Sequence, residues 1–485
     1  MLSLQNRRIT LNSIAYTLVN ILPFFSAFIT LPVYTYHISP NDFGMLSLIT
    51  TFSALVGISL SLQLNSALPR LYFDEDKGGV FKLFSTIFYS VALISAIGIV
   101  LISIVGNEII GFVFPTIEHQ YAPLFIIGVL TMYFIQLSTV INRLLVVEER
   151  GTIVLKRTLV VQPLGVIVGI YLVAYLQLGI VGALLATLIT AIATLLINVW
   201  IVKGYFRASW NGVRFKEALK YSWPLIPHAL GGWLFMYSDV IIMEKYLPLS
   251  IIALYAISDK FSQILKVVVN AIGESLSPNF IRMAKKSTKN TVIRFKRIIS
   301  LWFLLVLTAW LLLSVMAEEL VMLLTDEKYH SAYIYIPILA FSYVFRGMYM
   351  FSTYPIFFNK KTKIITRITI VAGLINIALN VFFIPLYGVM GAVITTMLSF
   401  MLTAIMAHYY SIRFFSMEYD WNYIIPLVIG YILAYVLLVN INTEWPIVTG
   451  VIKLLGVGAF FISAVLLSRF EIRKDILNLV TLFRN

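Results

Sequence analysis

Two stretches decide the fold: QLGIVGALLATLIT at 177–190 and LYGVMGAVITTMLS at 386–399. At an offset of 209 residues, Gly179 meets Gly388, Gly182 meets Gly391, Ala183 meets Ala392 and Thr187 meets Thr396. The same offset lays Ser66 over Ser275 and brings the basic connection at 150–157 close to 359–367. A chain that restates itself over such a distance reads as two copies of one unit. Each Gly-x-x-Gly-Ala falls where a very short connection joins two apolar runs. Its first glycine is expected to close a tight turn, and its small residues to let the two helices approach closely. That is a packing role, and no ligand is assigned to these glycines.

Of the 485 residues, 60% are hydrophobic and only 12% charged, and the mean hydropathy is +0.92. A soluble protein dilutes its core with far more charged surface, so the chain is an integral membrane protein. Lipid offers the backbone no hydrogen-bond partner, and runs of about 20 apolar residues are long enough to cross as helices. The fold class is therefore an all-α polytopic membrane protein. Fourteen spans are expected near 12–36, 42–68, 81–105, 120–145, 154–176, 179–202, 219–243, 250–276, 294–317, 331–358, 363–385, 387–411, 421–441 and 446–468. The first follows Arg7 and Arg8 but is too long for a cleaved signal and reads as a retained helix.

Spans 1–6 and 7–12 form two six-helix lobes, expected at 1–205 and 206–415, with two additional helices and a tail at 416–485. Six crossings return each copy to its starting side, so the repeat is parallel and its pseudo-two-fold axis runs along the membrane normal. The net charge of +14 is lopsided. With the N-terminus inside, thirty of the 36 Lys and Arg lie on that side, two (Lys245 and Lys328) lie opposite, and Lys260, Lys266, Arg346 and Lys453 fall within spans. This positive-inside pattern sets both termini in the cytoplasm and suits an anionic inner leaflet better than a nucleic acid. The absence of cysteine excludes disulfides, thiolate metal sites and a Cys nucleophile. No P-loop, metal box or catalytic triad is found, and no connection has room for a catalytic domain, so the chain reads as a transporter and not an enzyme. No cofactor and no metal are expected.

Span 8 carries Asp259, Gln263, Lys266, Asn270 and Glu274 at spacings of 4, 3, 4 and 4, which sets all five on one helical face. An ionisable group at mid-bilayer costs roughly 2.5–3.5 kcal/mol even on insertion scales, so that face should line water, ligand or another polar helix. The stripe is read as lining the substrate cavity, with all five residues as substrate-binding candidates; interhelical hydrogen bonding, with Asp259–Lys266 as an internal pair two turns apart, is the alternative. Lys260 points off the stripe. Arg346, near the middle of span 10, offers a planar fork suited to phosphate; Glu274 or Asp239 would be its structural partners. Tyr16, Asn20, Trp233, Tyr237, Tyr343 and Tyr349 are possible sugar contacts, against a general enrichment of Tyr and Trp at membrane interfaces. Asp239 is the remaining intramembrane acid of interest. Pro224, Pro227 and Gly231–Gly232, around His228, are expected to weaken span 7 and let it bend.

The duplicated architecture, SPNDFG at 39–44, the paired LGIVGA and YGVMGA turns, and YSDV at 237–240 resemble the multidrug/oligosaccharidyl-lipid/polysaccharide exporter superfamily, and within it the Wzx-type polysaccharide flippases. The resemblance implies a multi-pass protein of the bacterial inner membrane that turns undecaprenyl-pyrophosphate-linked oligosaccharide repeat units to the outer leaflet by alternating access. These would serve O-antigen, capsule or exopolysaccharide. It implies Lys266 and Arg346 as headgroup cations, membrane lipids and a polysaccharide polymerase with its chain-length protein as partners, and a monomer. A cation-coupled multidrug exporter is the alternative. There Asp239 would couple H+ or Na+, but span 1 lacks the acid such exporters use. A lipid II flippase is the other alternative, and such flippases keep arginines in the N-terminal lobe. Here spans 1 and 2 offer only Asn12, Tyr16, Asn20, Ser59, Gln63 and Asn65, with no central cation.

Overall fold

The computed structural model describes residues 2–115, 117, 121–286, 288–415, 418–441, 443 and 445–467. The tail with Arg469, Arg473, Lys474 and Arg484 lies outside the described residues, as do the side chains of Arg7, Arg8 and Lys289. In chain order the helices are α1 (Leu2–His37), α2 (Pro40–Ser61), α3 (Ala67–Leu71), α4 (Lys77–Val113), α5 (Ala122–Val147), α6 (Gly151–Ile170), α7 (Gly179–Ile201) and α8 (Gly212–Ser222). They continue as α9 (Ile226–Tyr246), α10 (Leu249–Lys286), α11 (Thr288–Val315), α12 (Ala317–Leu324), α13 (Ile336–Phe358), α14 (Thr362–Ser411), α15 (Trp421–Val439) and α16 (Pro446–Leu467). No strand occurs among the described residues. Twelve of the described helical stretches are long and apolar enough to cross a membrane. One of them, α14, covers two expected spans, and α10 has the length but is too polar to qualify. The fourteen expected spans are thereby all met by helix.

The 50-residue α14 is not one rod. Gly388 has φ 59° and ψ −136°, outside any helix, and the chain doubles back there. The side-chain bonds between the arms prove the hairpin. Asn376 Nδ2 donates to Ser399 Oγ at 3.0 Å, and the Thr395 hydroxyl donates to Asn380 Oδ1, two pairs centred on the same turn. Gly179, the partner of Gly388 in the repeat, also has a positive φ, 53°. The second glycines answer to close approach: a Cβ on Gly391 would stand 2.3 Å from the Phe383 carbonyl oxygen, and one on Gly182 would stand 3.0 Å from the Leu172 carbonyl. Both parts of the sequence expectation hold.

A second pair of turns matches as closely. Between α5 and α6, Glu149 has φ 56° and the Arg150 N–H donates to the Leu145 carbonyl at 2.9 Å. Between α13 and α14, Lys360 has φ 56° and the Lys361 N–H donates to the Ile356 carbonyl at 3.0 Å. These two turns lie 211 residues apart, so the first copy is two residues longer between its paired turns. The π turn at Tyr171–Tyr175, wider than an α turn, takes up part of that surplus.

The chain forms two compact units, Met1–Ala253 with Leu324–Asp326, and Leu254–Leu323 with Glu327–Asn485. The first runs past the lobe boundary expected at 205, because α9 packs on α2: the Trp233 indole N–H donates to the Thr51 carbonyl at 3.2 Å. Its linker between α7 and α8 is strapped along α4. Arg207 N–H donates to Ser85 Oγ at 2.8 Å, Asn211 N–H to Thr86 Oγ1 at 3.2 Å and the Trp210 indole to Ser90 Oγ at 2.9 Å. Arg214 then grips Glu75 through Nε and Nη2 at 2.6 and 2.7 Å. Beside the strap, Tyr205 donates to Glu148, and burial followed by that bond pushes its hydroxyl up to about 12. Pro224 and Pro227 do not weaken a helix interior as expected. They sit in the 3-10 turn and the first turn of α9, where a missing N–H costs no bond.

In the second unit, α15 and α16 pack on α11. Lys453 of α16, 1% exposed, reaches Glu319 of α12 with Nζ to Oε1 at 2.6 Å. Removing one partner of a buried pair leaves an uncompensated charge. Glu319→Ala is therefore expected to destabilise the protein by about 3–5 kcal/mol, and Glu319→Leu with Lys453→Met to recover most of it. Thermal unfolding in detergent measures both, and equal losses in the two variants would refute the pairing argument.

Candidate functional site: an unneutralised cation pair on α10 and α13

The stripe expected on span 8 forms one face of α10. Asp259, Gln263, Lys266 and Asn270 are half-buried and Glu274 is exposed, whereas Phe261, Ser262, Leu265 and Val269 on the other face are buried. That second face fixes the helix rotation. Ser258 Oγ donates to the Ala332 carbonyl at 2.7 Å, and Ser262 Oγ to the Ile336 carbonyl at 3.3 Å. At the far end Tyr354 donates to the Gly273 carbonyl, and a Cβ on Gly273 would meet Met350 Cε at 2.5 Å. With one face locked by these bonds, the polar residues have only the other.

Helix α13 is set just as firmly. Trp302 of α11 fills the flank of Gly347, where a Cβ would stand 2.0 Å from the ring. Arg346, the preceding residue, is turned toward α10, and its Nε donates to Asn270 Oδ1 over a long 3.4 Å. Neither Glu274 nor Asp239 is its ion-pair partner. Among the described residues, no carboxylate lies within 4.0 Å of Arg346 or Lys266. Among the described residues Lys266 makes no hydrogen bond either, and Asp259 and Arg346 are charges that act on it. The Asp259–Lys266 pair is therefore not closed. Asp259 instead accepts from Gln263 Nε2 at 2.7 Å and from the Tyr343 hydroxyl at 3.4 Å. Tyr349, three residues on from Arg346 in α13, is half-buried. Chemically, this is a pair of cations that repel each other, with the Asp259 carboxylate acting on Lys266 from along the same face and the neutral Gln263, Asn270 and Tyr343 beside them.

The remaining candidates belong to the first unit. Tyr16 donates to the Leu145 carbonyl at 3.2 Å, while Asn12 donates to the Glu149 carbonyl at 2.6 Å and accepts from the Gly151 N–H at 3.1 Å. Both staple α1 to the α5–α6 turn. Trp233 is 4% exposed against α2, with Tyr237 beside it at a ring separation of 6.2 Å. Asp239 is buried and its Oδ1 accepts from the Val240 N–H at 2.8 Å. Asn20 is exposed.

The polysaccharide biosynthesis protein family matches residues 37–334, more than half of the chain. The chain belongs to that family. It is 24% identical over 242 residues to the probable low-salt glycan biosynthesis flippase Agl15 of Haloferax volcanii, covering 47% of this chain and 51% of that protein. The chain thus aligns with about half the length of this curated relative. Among solved structures, it is similar to the lipid II flippase MurJ in an inward closed conformation, with a TM-score of 0.74 at 14% identity, covering 94% of this chain and 98% of that one. It is also similar to an inward-facing multidrug resistance MATE family transporter of the MOP superfamily, with a TM-score of 0.62 at 15% identity over 81% and 93% of the two chains. The fold is shared with those solved structures, and the protein is a multi-pass membrane protein of the polysaccharide biosynthesis protein family.

Sequence reasoning counted Arg157 among loop and span-end residues; the structure buries it, 9% exposed, between α5, α6 and α7. Its Nη1 donates to Asn142 Oδ1 at 2.7 Å and Asn198 Oδ1 at 2.8 Å, and Nη2 donates to Thr158 Oγ1 at 3.2 Å. The one sequence signal was an arginine just inside an expected span at 154–176. A single Nη1 holds both amides, and a lysine ammonium, ending one bond short of that nitrogen, falls short of them and of the Thr158 hydroxyl. Arg157→Lys is expected to lower the folded yield roughly as much as Arg157→Ala, since buried acceptors are left unmet in either case. Size-exclusion profiles in detergent test this, and a normal profile for Arg157→Lys would refute it.

Proposed function

We propose that the protein is a flippase for undecaprenyl-pyrophosphate-linked oligosaccharide repeat units, carrying them from the cytoplasmic to the outer leaflet by alternating access for cell-surface polysaccharide synthesis. The observation that carries this reading is the pair Lys266 and Arg346, two cations within membrane-length helices with no carboxylate at ion-pair distance among the described residues. Uncompensated charge of one sign in such a place is costly unless a ligand of the other sign completes it. A diphosphate brings the opposite charge and oxygens for the Arg fork. Asp259, Gln263 and Asn270 then offer amide and carboxylate partners to sugar hydroxyls, with Tyr349 alongside. In this reading the basic loops lie in the cytoplasm, both termini included, and a polymerase receives the flipped unit.

A cation-coupled drug exporter fits less well, because two unneutralised cations repel the cationic drugs it would carry. Likeness to MurJ keeps a lipid II flippase as the second reading. Both flippases need the same anion site, and they differ in the glycan. Ion coupling through Asp239 is a separate proposal, supported by its burial in α9. A flux unchanged by Asp239→Asn would remove it.

The test is mass spectrometry of lipid-linked glycans from cells depleted of the protein. One completed pyrophosphate-linked repeat unit should accumulate, whereas accumulated lipid II would favour the second reading and an unchanged pool would overturn both. Complementation by Lys266→Ala or Arg346→Ala is expected to restore export at least tenfold less well than wild type, with normal membrane insertion. Full export by both variants would remove the cations from the site.

A further inference from the structure

Asp259 and Lys266 face the same way on α10 about 10.5 Å apart along its axis, a gap that the long lysine stem largely closes. Opposite charges in a low-dielectric setting attract strongly, so an unrestrained pair would collapse together and cancel. It has not collapsed: no ion pair joins them, and both Asp259 oxygens are engaged elsewhere, Oδ2 by Gln263 Nε2 at 2.7 Å and Oδ1 by the Tyr343 hydroxyl at 3.4 Å. Gln263 stands between acid and lysine on the same face, one turn from Asp259. Tyr343 is 3% exposed and its ring packs 5.9 Å from that of Phe400, so the core of the second unit fixes where its hydroxyl points.

We propose that Gln263 and Tyr343 are positioning residues that hold the Asp259 carboxylate off Lys266, keeping the ammonium available to an anionic headgroup. This rests on the anion reading of Lys266 and Arg346 given above. Asp259 then acts as a tethered competitor for the phosphate. Its charge lowers the cost of an empty site without occupying it, and the strength of its two tethers sets how readily the headgroup wins Lys266. The specificity of the site thus depends on two residues that need not touch the phosphate.

The experiment measures binding of undecaprenyl diphosphate to the purified full-length protein in nanodiscs by native mass spectrometry. Gln263→Leu with Tyr343→Phe should bind roughly tenfold more weakly than wild type, because the freed carboxylate swings onto Lys266. Adding Asp259→Asn to that pair removes the competitor and should restore affinity to within about twofold of wild type. Tyr343→Phe alone, which deletes only a hydroxyl, serves if the double variant folds poorly, and its expected smaller loss should also be restored by Asp259→Asn. A loss that Asp259→Asn does not restore marks a purely structural role and overturns the proposal, as does unchanged affinity in the tether variants. If wild type itself does not bind the diphosphate, or binds it as well after Lys266→Ala and Arg346→Ala, the anion site fails and this proposal with it.

Discussion

Hydrocarbon accepts no hydrogen bond, and that constraint governs this protein at every level. It makes each crossing a helix, because only a helix satisfies its own backbone. It then turns on the side chains: a polar group inside a membrane-length helix must find another polar group, face water or wait for a ligand. Most here find each other. Asn376, Asn380, Thr395 and Ser399 close a buried set between the arms of α14, Arg157 is held by two asparagines and a threonine, and Lys453 has Glu319. Against that background Lys266 stands out, since among the described residues it makes neither a hydrogen bond nor an ion pair.

The repeat is expressed most faithfully where the backbone leaves the helical region. Gly179 and Gly388 share a left-handed turn, as do Glu149 and Lys360, although the helices between them differ in sequence and by two residues in length. Apolar residues facing lipid are interchangeable, so helix surfaces diverge freely. A turn needing positive φ tolerates few substitutes, and a glycine pressed against a carbonyl tolerates none without a backbone shift. The glycines that opened the sequence reading are therefore its most reliable markers of duplication.

The site is built the other way round, from contacts that involve no charge. Trp302 against Gly347 and Ser262 against Ile336 fix the rotations of α13 and α10, and only then do Arg346 and Lys266 come to share a space. Rigid uncharged faces thus hold two like charges together, which no attraction between those charges would do. Asp259, tied by Gln263 and Tyr343, tempers that repulsion without removing it.

The sequence by itself determined the helical class, the count of spans, the duplication and the single polar face of α10, because these follow from hydropathy, periodicity and spacing along one helix. It also singled out Arg346 as an intramembrane cation. Only the tertiary structure decided which polar groups satisfy one another. Arg346 meets Asn270 and no acid, Tyr16 staples the α5–α6 turn, α9 packs on α2, and Arg157 is a core residue. Helical spacing fixes which residues share a face; it carries no information about which neighbouring helix, at which rotation, that face will meet, and that choice rests on steric fit between residues 41 to 182 positions apart.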